Sequence, residues 1–534
     1  MSASTGAVTS PASSQPLSLE ARYGQLPDKD GQVNGGHDRL GPFLWPHRFF
    51  MRQSISRNWE NSPWATANVE FTDGTLIPEE PGEEAGIFSL SMEENCPADR
   101  SRVAPLVAFL HGARLLELQQ GHCDIPTRKI AILIDGNFSE NKNKRYSEKS
   151  EKKFDTIDAE RRLIYAVDLS RWGLLAIIGS APESLYRVLV DFLLNYVLSR
   201  PYIGVHFATE GPVTFAMEFS FPYSVWRTSR TLMQDNRAKG HNKGALRSTD
   251  DVTFLRALAG SNTDGESIDA IHSSHMSCLV TGYDQYRWTG ILFCETWYEV
   301  ETTGLPTPDS IARYEAEQRD VEESFGVVKL SDPLRRGKGD MFDSTLTMWR
   351  PRAYFLGIFG IRFSQIHRES QVLFHNMYKR TEGIETRHRN LLQRMLKSVR
   401  GRQAPGSRAD VLDELDNAEE GILLAKGIVR TLARTMEEIV STGESFLTTD
   451  ANYFLDTKGQ PDDGPDGSSC YSDLSQIRRI TTDLRRLRQR FGVLQTRYEE
   501  MIKDSSAAKD MVIPLSSDWN RRMQWLNETH ADDV

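Results

Sequence analysis

Long apolar runs are absent from this 534-residue sequence. A transmembrane helix needs about 20 mainly apolar residues. The apolar run at 354–361 is too short, and the run at 172–197 is interrupted by Pro182 and three charged residues. We therefore predict that the chain does not span a membrane and cannot move a solute across one by itself.

Cysteine and net positive charge are also scarce. The five cysteines are scattered, and no basic-then-apolar signal peptide opens the chain, so we expect a reducing, cytoplasmic environment without a disulfide framework. The 64 basic residues are outnumbered by 74 acidic ones, which gives a net charge of −10. Such a chain has no overall attraction for nucleic acid, and we expect contact with the cytoplasmic face of a membrane only through a partner.

Familiar catalytic motifs are missing as well. The sequence contains no G-x-G-x-x-G, no P-loop and no G-x-S-x-G, so "LVAFLHGARLLE" at 106–117 is interpreted as a buried segment followed by a helix. Ser180 and Glu183 form a capping box, which predicts a helix that begins at 181 and offers no phosphate-binding loop. We predict no catalytic residue and no certain cofactor.

One short segment, "IHSSHMSC", contains atoms that zinc accepts. His272, His275 and Cys278 are three residues apart, but the spacing matches no zinc-finger or zinc-ribbon pattern. Residues three apart lie on opposite faces of a strand, and this segment runs into one. These three residues are the weak metal candidates, and polar loop residues are the alternative interpretation.

What the sequence does contain is a change of character along its length. Residues 1–40 are predicted to be a disordered tail, and 41–302 an α/β domain with a mixed sheet and an acidic loop at 72–102. A charged linker at 303–343 leads to an elongated all-α helical bundle or coiled-coil stalk at 344–510, followed by a flexible tail at 511–534. Pro351 is suited to the first turn of the first long helix.

The last helix has the clearest pattern in the chain, an a/d heptad seam with apolar residues spaced alternately three and four apart. A seam of this kind must face another helix, either within the chain or in a partner. An intramolecular bundle is the simpler alternative, and self-association or a second helical protein is the other. The seam consists of Ile477, Ile480, Leu484, Leu487, Phe491, Leu494, Tyr498 and Met501.

The order of these parts resembles a known family. "IYAVDL" ends near Asp168, Arg200-Pro201 leads into "YIGVHF" and "VTFAMEFSFPY", and long helices close the chain. This order resembles the cytosolic part of CorA-like divalent-cation transporters, most closely the divergent fungal CorA-like proteins. The family's two membrane helices and Gly-Met-Asn pore loop are absent, so no pore or metal residue is transferred. The resemblance implies oligomers and a response to Mg²⁺.

Three functions remain open at this point. The first is a soluble, non-catalytic CorA-like domain protein that oligomerises or senses divalent cations. The second is a scaffold that binds partner helices through the heptad helix. The third is an enzyme of unrecognised type, which would require a pocket lined by groups with shifted pKa values.

Overall fold

The computed structural model describes residues 45–49, 97–113, 131–137, 142–147, 161–181, 185–208, 214–238, 244–260, 267–299, 350–400, 405–455 and 466–531. The helices in these stretches are α1 (Pro97–Leu110), α2 (Arg171–Ser180), α3 (Tyr186–Val197), α4 (Phe254–Leu258), α5 (Pro351–Arg400), α6 (Pro405–Thr448) and α7 (Asp466–Ala531). The strands are β1 (Ala131–Asn137), β2 (Lys142–Ser147), β3 (Arg161–Val167), β4 (Tyr202–Phe207), β5 (Phe215–Ser229), β6 (Thr249–Asp251), β7 (Ile268–Gly282) and β8 (Trp288–Cys294).

The described strands form one mixed sheet in the order β2-β1-β3-β8-β7-β5-β4, with β6 paired to β7. Strands β3 and β8 run parallel, while the other pairs are antiparallel. Central β8 is buried along its whole length, because both faces of the sheet are covered. For the same reason β5 is buried on both faces over residues 215–221.

Helices cover the two faces of the sheet in different ways. One face packs against α1, α2 and α3 through a core that includes Leu106, Leu193 and Phe293. The other face packs against α5, α6 and α7, and one continuous core joins sheet and bundle. This architecture confirms the predicted fold class, a mixed α/β region followed by a long-helix bundle. The two predicted domains nevertheless share that core.

Phenylalanines join the bundle to the sheet. Phe219 and Phe221 on β5 stack with Phe359 on α5 at centroid distances of 5.2 and 5.9 Å, and Phe359 also meets Phe446 of α6. All four side chains are buried. Aromatic pairs of this geometry add to the large apolar area that each ring removes from water, so this contact is a strong apolar anchor.

Ion pairs join the same two parts of the molecule at the surface of this anchor. The carboxylate of Asp269 on β7 accepts from Arg256 of α4 and from Arg380 of α5, the latter at 3.0 Å. Arg227 at the end of β5 makes a two-pronged contact with Glu369 of α5, at 2.8 and 2.9 Å. Paired N–H donors fix orientation as well as distance, so α5 is held in one register on the sheet.

Several local predictions were wrong. Strand β2 was not predicted from the sequence, and it pairs with β1 as a hairpin. Helix α1 begins at Pro97, inside the predicted acidic loop 72–102, and the apolar segment at 103–110 belongs to it. Helix α7 continues to Ala531, so the predicted flexible tail at 511–534 is helical as far as that residue. The predicted tail 1–40 and linker 303–343 lie outside the described residues.

The predicted capping box was also wrong. Ser180 is the last residue of α2, whose own N-cap is Ser170, which accepts a bond from the amide of Gly173 at 3.2 Å. Helix α3 has Leu185 at its N-cap with no side-chain hydrogen bond. Helix α2 is an apolar segment pressed onto the sheet, so its sequence has no polar face to reveal a helical period.

Candidate functional site

The three weak metal candidates lie in β7 and are fully buried, so the interpretation as loop residues was wrong. His272 and Cys278 face the bundle side of the sheet, whereas His275 lies on the α3 side, as alternation along a strand requires. The three side chains therefore do not converge. Within the described stretches, no group of three or more His, Cys, Asp or Glu side chains could hold a metal ion.

The heptad seam is filled from within the chain. All eight residues from Ile477 to Met501 are buried in the core shared with α5 and α6. Phe491 meets Phe374 of α5 edge to face at 5.1 Å, and the hydroxyls of Tyr498 and Thr381 lie 2.7 Å apart. This arrangement is the intramolecular alternative, and it leaves no open surface along these eight residues for a partner helix.

A buried ionic network stands out on the α3 side of the sheet, just after β8. Glu295 accepts from Arg247 Nε at 2.9 and 3.0 Å and from the hydroxyl of Tyr196 at 2.8 Å. Arg237 lies 3.1 Å from the same carboxylate and bonds to Asp235 at 2.9 Å. The side chains of Glu295 and Arg247 are almost completely removed from water.

This network fixes the ionisation of its members. Burial alone would raise the pKa of Glu295, but Arg247 and Arg237 outweigh it and hold that pKa at about 2. Burial raises the pKa of the Tyr196 phenol well above its ordinary value. The carboxylate is therefore ionised and fully paired, which is the state of a structural ion pair rather than of a general base.

A serine and a histidine meet beside this network at the spacing of a nucleophile and its base. Ser220 Oγ lies 2.7 Å from His275 Nε2, and 3.0 Å from Ser277 Oγ. Burial and the charge of Arg247 lower the pKa of His275 well below its usual range, so the imidazole is neutral. Both side chains are enclosed between the sheet and α3. No substrate reaches a pair buried in this way, so we assign it a packing role.

A second acidic group on the same face has a different environment. Glu218 of β5 is buried, and its Oε1 lies 3.9 Å from Nε2 of His206 on β4. Its other oxygen, Oε2, has no hydrogen-bond partner. Burial, together with the Asp191 carboxylate of α3, raises the pKa of Glu218 to about 8. This carboxyl group is therefore largely protonated at neutral pH.

Of these side chains, sequence reasoning named only His275, and it did so as a metal candidate. Tyr196 and Glu295 are 99 residues apart, and Arg247 lies 48 residues before Glu295, so only the sheet topology brings them together. One signal was available for Glu218, because an acidic residue stands in the otherwise apolar and hydroxyl-bearing run "FAMEFSF". A charge inside a buried strand needs a partner or a proton.

Taken together, the described residues define a class of protein: a mixed α/β head on three long helices, with the ionic network around Glu295 enclosed in the head. No helix in the described ranges combines the length and the apolar character that a membrane crossing requires.

Comparison with known proteins gives limited results. No family model and no curated protein matches the chain. The complete CorA magnesium transporter of Methanocaldococcus jannaschii matches at 9% identity over 72% of this chain and 80% of its own, with a TM-score of 0.33. The soluble domain of CorA from the same organism matches at 10% identity over 72% of this chain and 99% of its own, with a TM-score of 0.31. The ZntB cytoplasmic domain of Vibrio parahaemolyticus matches at 10% identity over 73% of this chain and 100% of its own, with a TM-score of 0.26.

These likenesses are to the proteins that the sequence resemblance also indicated. Identities of 9–10% and TM-scores of 0.26–0.33 do not place the chain in that family.

Proposed function

We propose that this protein is a non-catalytic assembly module of CorA-like architecture, which self-associates in the cytoplasm and changes its assembly state with divalent cations such as Mg²⁺. The observation that carries the proposal is the rigid union of a sheet with three helices of 50, 44 and 66 residues. At about 1.5 Å per residue, α7 is roughly 100 Å long. An element of that length suits a structural role better than the enclosure of a substrate.

Acidic residues on α6 support the cation response. Asp410, Asp413, Asp416 and Glu420 are exposed along the first half of this helix. Mg²⁺ prefers oxygen ligands and usually keeps several of its waters, so exposed carboxylates of two copies can share one hydrated ion without a preformed pocket. Cation binding that favours one assembly state shifts the equilibrium toward that state by mass action.

The test is the mass of the full-length chain by light scattering, first in EDTA and then in millimolar Mg²⁺ at matched ionic strength. We expect an oligomer whose mass changes with Mg²⁺, and a smaller change in the double variant Asp410→Asn, Asp413→Asn. Glu438→Gln, at an exposed position elsewhere on α6, is the matched control and should behave as wild type. A monomer of constant mass would overturn the proposal.

The scaffold function remains the second candidate, but on a different surface. Leu424 on α6 and Val493 on α7 are 57% and 59% exposed, which is unusual for large apolar side chains. In this case the protein would be a monomer that binds a partner helix at these side chains, and its mass would not change with Mg²⁺. Light scattering therefore separates this candidate from the first one.

A further inference from the structure

Glu218 is a buried carboxyl group without the compensation that buried charges need. Its residue is 3% exposed, it belongs to β5 near the edge of the sheet, and Oε2 makes no hydrogen bond. An ionised carboxylate in such a place is strongly disfavoured, because an unpaired charge has been removed from water. The contrast with Glu295 on the same face is direct, because that carboxylate has two arginine partners.

Among the described groups around Glu218, only His206 could favour its charge, and only when that imidazole is protonated. Asp191 faces it from α3 and disfavours a second negative charge. His206 and Tyr202 lie beside it on β4, while its register partner on β7, Leu279, is apolar. Among the described residues, no lysine or arginine forms an ion pair with Glu218.

The neighbour of Glu218 on the edge strand is more exposed than Glu218 itself. The side chain of His206 is 19% exposed, whereas that of Glu218 is 4% exposed. Tyr202 folds over Gly204, the register partner of Glu218, and stacks on His206 with ring planes 8° apart. A Cβ atom at position 204 would lie 2.9 Å from Cζ of Tyr202, so a larger residue there would displace this ring. The Tyr202–His206 stack therefore lies on the edge strand, next to Glu218.

We propose that Glu218 is a proton-operated latch. When Glu218 carries a proton, α3 packs tightly on the β4–β5 end of the sheet. When Glu218 is ionised, its carboxylate draws water in past the Tyr202–His206 stack, and the packing at this end of the sheet loosens. The ligand of this site is a proton. The part that moves is α3 with the β4–β5 end of the sheet, and the helical bundle stays in place.

The direction of the pH effect follows from linkage. The ordinary pKa of a glutamate is 4.5, and that of Glu218 in the folded protein is raised to about 8 by burial and by Asp191. Between these two values the folded chain holds one more proton than the unfolded chain. The folded state therefore loses stability as pH rises through this window, and the loss is complete above the folded pKa.

The test compares urea unfolding midpoints of wild type and Glu218→Gln between about pH 6 and about pH 9, since linkage predicts the difference there. The amide imitates the protonated acid, so the variant should lose the part of the pH dependence that Glu218 causes. At the alkaline end its urea midpoint should be higher than that of wild type. Hydrogen exchange, corrected for intrinsic rate, should show β4 and α3 opening at high pH in wild type only. Glu438→Gln, an exposed substitution of the same type, should retain the wild-type slope.

Equal pH slopes in wild type and Glu218→Gln would overturn the proposal. If Glu218→Gln does not fold, wild-type infrared spectra still decide, because a buried carboxylic acid band must disappear between about pH 6 and about pH 9 as the group ionises. Asp191→Asn should shift that transition to lower pH by removing a repulsive charge. Absence of the band at the acidic end of this range would also reject the latch.

Discussion

The Glu295 network of the head and the heptad seam of the bundle stabilise the protein interior by different means. On the α3 side of the head, the interior includes Glu295, Arg247, Arg237 and Asp235 in one buried network. In the bundle, the seam is apolar from Ile477 to Leu494, with a hydroxyl bond only at Tyr498. A buried charge network must be complete to be tolerated, whereas an apolar seam fails gradually as atoms are removed. A single substitution in the head network should therefore cost more stability than a single substitution in the bundle seam.

The largest expected effect is at the head network. Glu295→Ala should lower the free energy of unfolding by about 3–5 kcal/mol, because it leaves Arg247 and Arg237 buried without their carboxylate. Equilibrium urea unfolding measures this loss. Glu437→Ala is the matched control: Glu437 is also paired with an arginine, Arg488, but both side chains are about half exposed. That control should cost at most about 1 kcal/mol.

If Glu295→Ala and Glu437→Ala cost the same, the contrast between the two halves would be lost. A double variant, Glu295→Leu with Arg247→Met, sharpens the test. Replacing a buried ion pair by apolar groups of similar size often restores stability. We expect it to recover part of the loss, limited by the remaining charge of Arg237.

A smaller effect is expected in the bundle seam. Leu484 is fully buried, so Leu484→Ala should cost about 3 kcal/mol from lost transfer free energy and the cavity left behind. The control is Leu424→Ala, the same substitution at a side chain that is 57% exposed, where the change should be below about 0.5 kcal/mol. Thermal and urea unfolding both report this difference. A near-neutral Leu484→Ala would indicate that the seam is not packed as described.

The smallest effect is expected at the bundle hydroxyl pair. Thr381 Oγ1 donates to the Met377 carbonyl at 2.8 Å, so it accepts from Tyr498. Tyr498→Phe should cost about 1 kcal/mol, the net value of one hydrogen bond, because Thr381 keeps its other partner. Tyr471→Phe, at a position 53% exposed, should leave the unfolding midpoint unchanged. A loss as large as that of Glu295→Ala would mean that polar contacts in the bundle behave as they do in the head.

The contrast between the halves also explains what the sequence predicted. The bundle follows from local rules, since the three-and-four spacing from Ile477 to Met501 and Pro351 in a first turn need no knowledge of the rest of the chain. Arg200-Pro201 before β4 is likewise local. Strand β2 was missed because "KNKRYS" lacks the apolar alternation of a strand, and its pairing with β1 decides its structure.

The candidate sites could not be predicted in this way. Ser180 and Glu183 satisfy the capping-box pattern, yet Ser180 ends a helix, because tertiary packing of α2 overrides a motif worth about 1 kcal/mol. Glu218 and His206 become neighbours only when β4 and β5 pair. Ionisation depends on burial and on partners distant in sequence, so the residues with shifted pKa values emerge only from the fold.

Central strand β8 also constrains how the chain can be made. It lies between β3 and β7, and Arg161 pairs with Trp288, far along the chain. During synthesis β1 to β3 leave the ribosome long before β8. Until β8 is made, the edge of β3 that will pair with it stays open. An open strand edge can pair with other chains. A nascent chain that stalls before residue 288 leaves two unjoined pieces of sheet. Translation speed and chaperone access over this interval therefore bear on the yield of folded protein.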